Sequence, residues 1–251
     1  MKIFITFLIL TAASFLPADN VTHRFPAPAG YKKISPAPGS FGAYLHNLPL
    51  KPEGTHTLNY KGDVARTDAY TAAVVDMSVG KQDLQQCADA VIRLRAEYLY
   101  ERKDYQNISF HFTSGFKCDF MHYANGYRYA NERWVLKGKK DYSRENFMRY
   151  LTLVFSYAGT ISLQKELKVV TNVNDIQAGD VFIKGGSPGH CFIVLQVAEN
   201  ASHQKKFLLA QSFMPAQNIQ VLKSSSPWFD TQQVARIPYG ELVNAANLKR
   251  F

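Results

Sequence analysis

From Asp180 onward the chain is patterned almost entirely as short strands, and this block limits the architecture open to the rest. Val181 to Lys184, Cys191 to Val197, Lys206 to Phe213 and Ile219 to Leu222 are rich in β-branched and aromatic residues, and Glu199-Asn200-Ala201-Ser202 supplies a turn between the middle pair. Connections this short join antiparallel neighbours, so the expectation is a meander.

Helical periodicity lies upstream. Leu84, Cys87, Ala88, Val91, Ile92, Arg95, Tyr98 and Leu99 fall on one face of a helix read over Asp83 to Arg102, with Asp83 and Gln86 at the spacing of a capping box. Ser143 precedes a stripe of Phe147, Tyr150, Leu151, Val154, Phe155 and Ala158 that Gly159 closes, and a shorter helix is read from Thr160 to Leu167. Ser40 is placed to cap Phe41 to Asn47, and Ala72 to Val79 reads as a strand ended by Gly80. Residues 21 to 62, rich in proline and glycine, read as extended segments over the core. Helices followed by strands predict an α+β fold in which helices precede an antiparallel sheet.

At 251 residues and 46% hydrophobic, the chain can bury a full core in one domain. Met1-Lys2, the apolar run Ile3 to Leu10 and Thr11-Ala12-Ala13-Ser14 have the basic start, short core and small-residue exit of a signal peptide. Residues 1–18 are read as that signal and residues 19–251 as a single domain, periplasmic or secreted, with no stable membrane insertion after cleavage; an uncleaved anchor is the alternative. Three cysteines cannot complete a disulfide framework, so the core must hold the protein together. The net charge of +9 is scattered, and only Lys137 to Lys140 approach a cluster, which argues against nucleic acid. An anionic envelope polymer fits the same charge, as does a solvated basic surface.

The chemistry centres on Gly179-Asp180-Val181-Phe182-Ile183-Lys184-Gly185-Gly186-Ser187-Pro188-Gly189-His190, which delivers an imidazole from a glycine-rich turn to the head of a strand. Imidazole's ordinary pKa near neutrality suits proton transfer. Its client is Cys87, early in the predicted helix, where unpaired N–H groups favour a thiolate. With strand pairs totalling near 403 in residue number, His190 lies opposite Phe213 with Gln211 its same-face diagonal neighbour; a one-residue slip brings Ser212 instead. Gln211 is preferred as the residue that fixes the ring. The backbone N–H of Cys87, helped by the side chain of Gln86 or Gln82, is a candidate oxyanion hole. A buried, inert Cys87 and a satisfied His190 at a strand end fit the same pattern.

Gly185 to Gly189 also matches the literal G-x-S-x-G of serine hydrolases. A strand rather than a helix follows, and Pro188 has no N–H to donate, so Ser187 is rejected as a nucleophile. No H-E-x-x-H, C-x-x-C or calcium-loop pattern occurs, and His111 and His122 with Asp119 have no ligand spacing, so no metal or cofactor is expected. Aromatic residues make up 13% of the chain; most read as core, a few as lining for a sugar or peptide groove.

Several blocks read together: Gly39-Ser40-Phe41-Gly42-Ala43-Tyr44-Leu45, Gln85 to Leu99, Phe112-Thr113-Ser114-Gly115, Phe155 to Thr160, Gly179 to His190, and Leu209 to Gln217. They resemble the bacterial family known as domain of unknown function 4846, which implies an envelope protein of the kind found in Bacteroidetes and carries no established activity. A second resemblance is to papain-like cysteine hydrolases of the NlpC type, cell-wall amidases and endopeptidases. It implies Cys87 as nucleophile, His190 as base and Gln211 as the third member, acting on cell-wall peptide or a similar amide. The Asp-Cys-Ser-Gly signature is absent, and Lys81 stands where papain-type enzymes place an oxyanion-hole glutamine. A non-catalytic envelope module binding glycan, peptide or protein is the alternative.

Overall fold

A computed structural model describes residues 19–251; the signal segment read over residues 1–18 lies outside the described residues. The helices are α1 (Val21–Arg24), α2 (Phe41–His46), α3 (Cys87–Glu101), α4 (Phe120–Ala124), α5 (Arg144–Tyr157) and α6 (Thr160–Glu166). The strands are β1 (Tyr31–Lys33), β2 (Thr71–Val74), β3 (Ser109–His111), β4 (Lys117–Asp119), β5 (Tyr127–Ala130), β6 (Arg133–Leu136), β7 (Lys168–Val169), β8 (Val181–Lys184), β9 (His190–Asn200), β10 (Lys205–Gln211), β11 (Gln220–Leu222), β12 (Trp228–Phe229) and β13 (Leu248–Arg250). Nine strands make one antiparallel sheet in the order β2-β11-β10-β9-β8-β13-β7, with β1 added to β9 and β12 to β10. The fold is α+β, a single domain, and the two remaining strand pairs are separate hairpins.

The meander is present, but the sheet does not simply follow the helices. β1 and β2 precede α3 in sequence and pair with β9 and β11. Periodicity marks a strand without naming its partner, and β1 is three residues long within a proline-rich stretch, too short to show alternation. The strand read over Ala72 to Val79 ends at Val74, because a tight turn at Asp76, closed by Met77 N–H on Val75 C=O at 2.8 Å, takes the chain out of the ladder.

β9 is the axis of the sheet, and its first nine residues are all buried. Cys191, Ile193 and Leu195 join α3 in one core cluster, whereas Phe192 and Val194 pack with Phe182, Phe207 and Leu209 in a second. Cover on both faces explains why this strand reads as a continuous apolar run rather than an alternating one. Along β9 and β10 the register starts at Lys205–Glu199, shifts by one residue between Leu208 and Leu209, and continues as Leu209–Val194 and Ala210–Ile193. The irregularity restores, at the end nearest His190, the pairing expected from the sequence.

α3 begins one turn later than the sequence reading. Leu84 N–H on Gln82 C=O and Gln86 N–H on Leu84 C=O form tight turns, and Asp83 Oδ1 accepts from Ala216 N–H at 2.6 Å. The cap is instead built from Gln86 and Asp89, whose Oδ2 accepts from the Gln86 N–H at 3.0 Å. Cys87 is therefore the first helical residue.

Candidate functional site

The start of α3 exposes N–H groups that have no partner within the helix, and the positive end of the helix dipole is centred there. The Cys87 thiol sits on this end and is 7% exposed. Its pKa is lowered to about 5, first by the Cys191 thiol, then by the neighbouring His190 imidazole and the Ala88 N–H, all against burial, which opposes ionisation. Cys191 moves the other way, well above the ordinary thiol range, because the neighbouring Cys87 sulfur and its own burial disfavour a second negative charge. Cys118 is also held above that range, by burial first and by the Asp119 carboxylate. All three cysteines are free, so only one of them is prepared as a thiolate.

His190 is the first residue of β9 and is fully buried. Its Nε2 lies 2.6 Å from Gln211 Oε1 at the end of β10. An amide oxygen only accepts, so Nε2 donates to it and Nδ1 is the ring nitrogen left to exchange a proton. Nδ1 has no hydrogen-bond partner among the described residues. The Tyr239 ring stacks on the imidazole at 4.7 Å, and Phe192 and Phe213 pack against it at 4.8 and 5.2 Å. Three aromatic neighbours and one hydrogen bond leave the ring little freedom to turn.

A cleft of about 350 Å³ opens over Cys87. One wall is the start of α3 with Asp83, Gln86 and Asp89; another is the junction of α5 and α6 at Phe155 to Thr160; the third is the turn Gly186 to Gly189. The turn that delivers His190 thus also shapes the space above the thiol. Gly189 is required by close approach, since a Cβ there would lie 2.6 Å from Gly186 O and closer still to Thr160 Oγ1. A cavity of the same volume beside Phe41, Arg95 and Phe251 contains none of these groups.

Cys87, His190 and Gln211, far apart in sequence, are brought together. Gln86 lines the cleft, but its Nε2 donates to Asp83 Oδ1 at 3.2 Å. The alternative Ser212 is engaged elsewhere, its Oγ lying within hydrogen-bond distance of the carbonyls of Gln85 and Gln217, at 2.7 and 2.9 Å. The turn carrying Ser187 leads into β9 and not into a helix. His111 pairs with Glu166 at 3.5 Å and His122 with Asp119 at 2.8 Å, and among the described residues no three ligating side chains cluster as a metal site would require.

Sequence reasoning passed over Asp89, Cys191 and Tyr239. Asp89 had a visible signal, the capping spacing from Gln86, which the competing pair Asp83 and Gln86 obscured. Cys191 reads as an ordinary core residue of a strand. Nothing local marks Tyr239, which reaches the ring from a segment nearly fifty residues beyond it.

The molecule is thus an α+β protein whose one large antiparallel sheet carries a histidine beside a cysteine at a helix start. The chain belongs to the family described as domain of unknown function (4846), whose model matches residues 21–248. Comparison with curated proteins gives no significant match, and comparison with solved structures gives none.

Proposed function

We propose that this is an exported cysteine hydrolase of papain-like topology that cleaves an amide in cell-wall peptide or a similar substrate. The observation that carries the reading is the convergence of a thiol with pKa lowered to about 5, an imidazole whose Nε2 is bound by Gln211 at 2.6 Å, and an open cleft over the sulfur. The Cys87 thiolate attacks the carbonyl carbon, forming a C–S bond and an oxyanion. The backbone N–H of Cys87 faces the developing charge, and the Gln86 side chain joins it once its amide leaves Asp83. Collapse breaks the C–N bond, and the His190 imidazolium gives its proton to the departing amine. His190 then takes a proton from water as the water attacks the thioester, which releases the acid and restores the thiolate.

The test combines labelling and turnover. Iodoacetamide is expected to alkylate Cys87 in the folded protein and to spare Cys118, and Cys87→Ala is expected to abolish release of amine from envelope peptides. Alkylation of Cys118 with Cys87 spared, or turnover unchanged in Cys87→Ala, rejects the hydrolase. The 7% exposure of Cys87 favours the second reading, an envelope binding module, which predicts retention of peptide or glycan without turnover.

A further inference from the structure

The protein carries a net charge of +9, yet among the described residues the only formally charged side chains lining the cleft over Cys87 are Asp83 and Asp89. Asp83 has work elsewhere, since its Oδ1 binds the Ala216 N–H and the Gln86 amide. Asp89 is different. It is 6% exposed, two residues beyond the nucleophile, and its Oδ2 accepts the Gln86 N–H of the cap. Its Oδ1 is buried in the cleft wall and has no partner among the described residues. A cap needs one carboxylate oxygen; an Asn or Ser supplies it without a charge to bury. The second oxygen is a costly vacancy for a hydrogen-bond donor. Burial, and then the negative sulfur, hold this carboxyl well above the usual carboxylate range, so a cation that enters the cleft gains by ionising it.

We infer that Asp89 is a specificity-determining residue that receives a primary ammonium group of the substrate beside the reacting amide. This rests on Cys87 as the nucleophile. It narrows the substrate to a peptide with either a free amino terminus or a basic side chain next to the scissile bond. An ammonium satisfies Oδ1 with a charge-assisted hydrogen bond and neutralises the acidic floor. An acylated or anionic group leaves the oxygen unpaired or repels it.

The charge preference of the thiol can be read without turnover. Methanethiosulfonates carrying an ethylammonium, a methyl or an ethylsulfonate group each transfer their sulfenyl group to a thiolate, forming a disulfide and releasing a sulfinate. At pH 8 the ammonium reagent is expected to modify Cys87 at least about tenfold faster relative to the methyl reagent than it modifies glutathione, a gap of about 1.4 kcal/mol in binding terms. Asp89→Asn, which keeps an oxygen for the cap, is expected to remove that preference while the thiol still reacts. Equal rates for the ammonium and methyl reagents on the wild-type protein, or a preference retained in Asp89→Asn, overturn the role of Asp89. A Cys87 that none of the three reagents modifies in the folded protein overturns the nucleophile itself, so the two failures are distinct. Protection of Cys87 by alanine amide identifies the terminal amine as the group received, and protection by acetyl-lysine amide identifies the side chain. Equal protection by acetyl-alanine amide, which has neither, overturns the inference.

Discussion

His190 meets Gln211 through Nε2 at 2.6 Å and leaves its Nδ1 without a hydrogen-bond partner among the described residues. The proton on the ring is therefore held on the side away from the free nitrogen, and the amide that holds it comes from the neighbouring strand. The geometry leaves the imidazole one defined atom, Nδ1, at which to exchange a proton, with Tyr239 stacked across its face.

The Cys87 thiol should titrate through this arrangement. Its alkylation rate by iodoacetamide is expected to rise through a midpoint near pH 5 and to be flat by neutrality, instead of rising near the ordinary thiol value of 9.0. His190→Ala and Cys191→Ala should each move the midpoint upward, the second by more, because the Cys191 thiol is the largest contributor. A folded-state pKa below the unfolded value means that the stability gained from the thiolate is complete above about pH 9 and is lost as pH falls toward 5. Rate profiles by mass spectrometry and melting curves of Cys87→Ser check the two halves.

Gln211→Leu removes the acceptor from a buried ring N–H. The expected cost is about 1–3 kcal/mol of stability, the price of leaving one buried donor unsatisfied. The Cys87 alkylation midpoint should rise as well, since the ring is no longer held in one tautomer. Urea titration and the alkylation profile read these effects separately; an unchanged urea midpoint contradicts the hydrogen bond.

Gly189 tolerates no side chain, because a Cβ would meet Gly186 O at 2.6 Å. Gly189→Ala is expected to displace the turn from Thr160 and cost about 1–3 kcal/mol, as overpacking does. Loss of Cys87 labelling should accompany it, since that turn both walls the cleft and carries His190. Gly185→Ala, where the nearest atoms lie 3.1 Å away, should be milder in the same thermal melts.

His46 gives a pH signature remote from the cleft. Burial first, and Lys33 second, lower its pKa from 6.5 to about 4, and its Nε2 is buried without a partner among the described residues. A folded pKa below the unfolded one means that its contribution is whole above about pH 6.5 and disappears as pH falls through 4, where the folded protein must take up a buried charge. His46→Gln is expected to flatten the fall in melting temperature across that window; an identical pH dependence would count against buried neutral histidine.

Much of the frame was legible along the chain because it is governed by local rules. Ser40 and Ser143 do cap their helices, accepting the Ala43 and Asn146 N–H groups, as a side-chain oxygen before an apolar stripe should. The pairing of Gln211 with His190 followed from strand register, although the irregularity at Leu208 and Leu209 that delivers it was invisible. The start of α3 was misread by a turn because Asp83 and Asp89 both stand three residues from Gln86, and which of them caps depends on Ala216, a distant donor that engages Asp83.

The sequence by itself determined an α+β chain, its capped helices, the meander around β9 and the candidate residues Cys87, His190 and Gln211. Only the tertiary structure decided that the sulfur lies beside the ring, that Cys191 joins them and that Asp89 keeps a buried oxygen without a partner among the described residues in the cleft wall. Caps, turns and periodicity act over a few residues and are written in local order. The approach of α3 to the head of β9, and the contacts with Cys191 and His190 that lower the Cys87 pKa against burial, depend on packing between segments about a hundred residues apart.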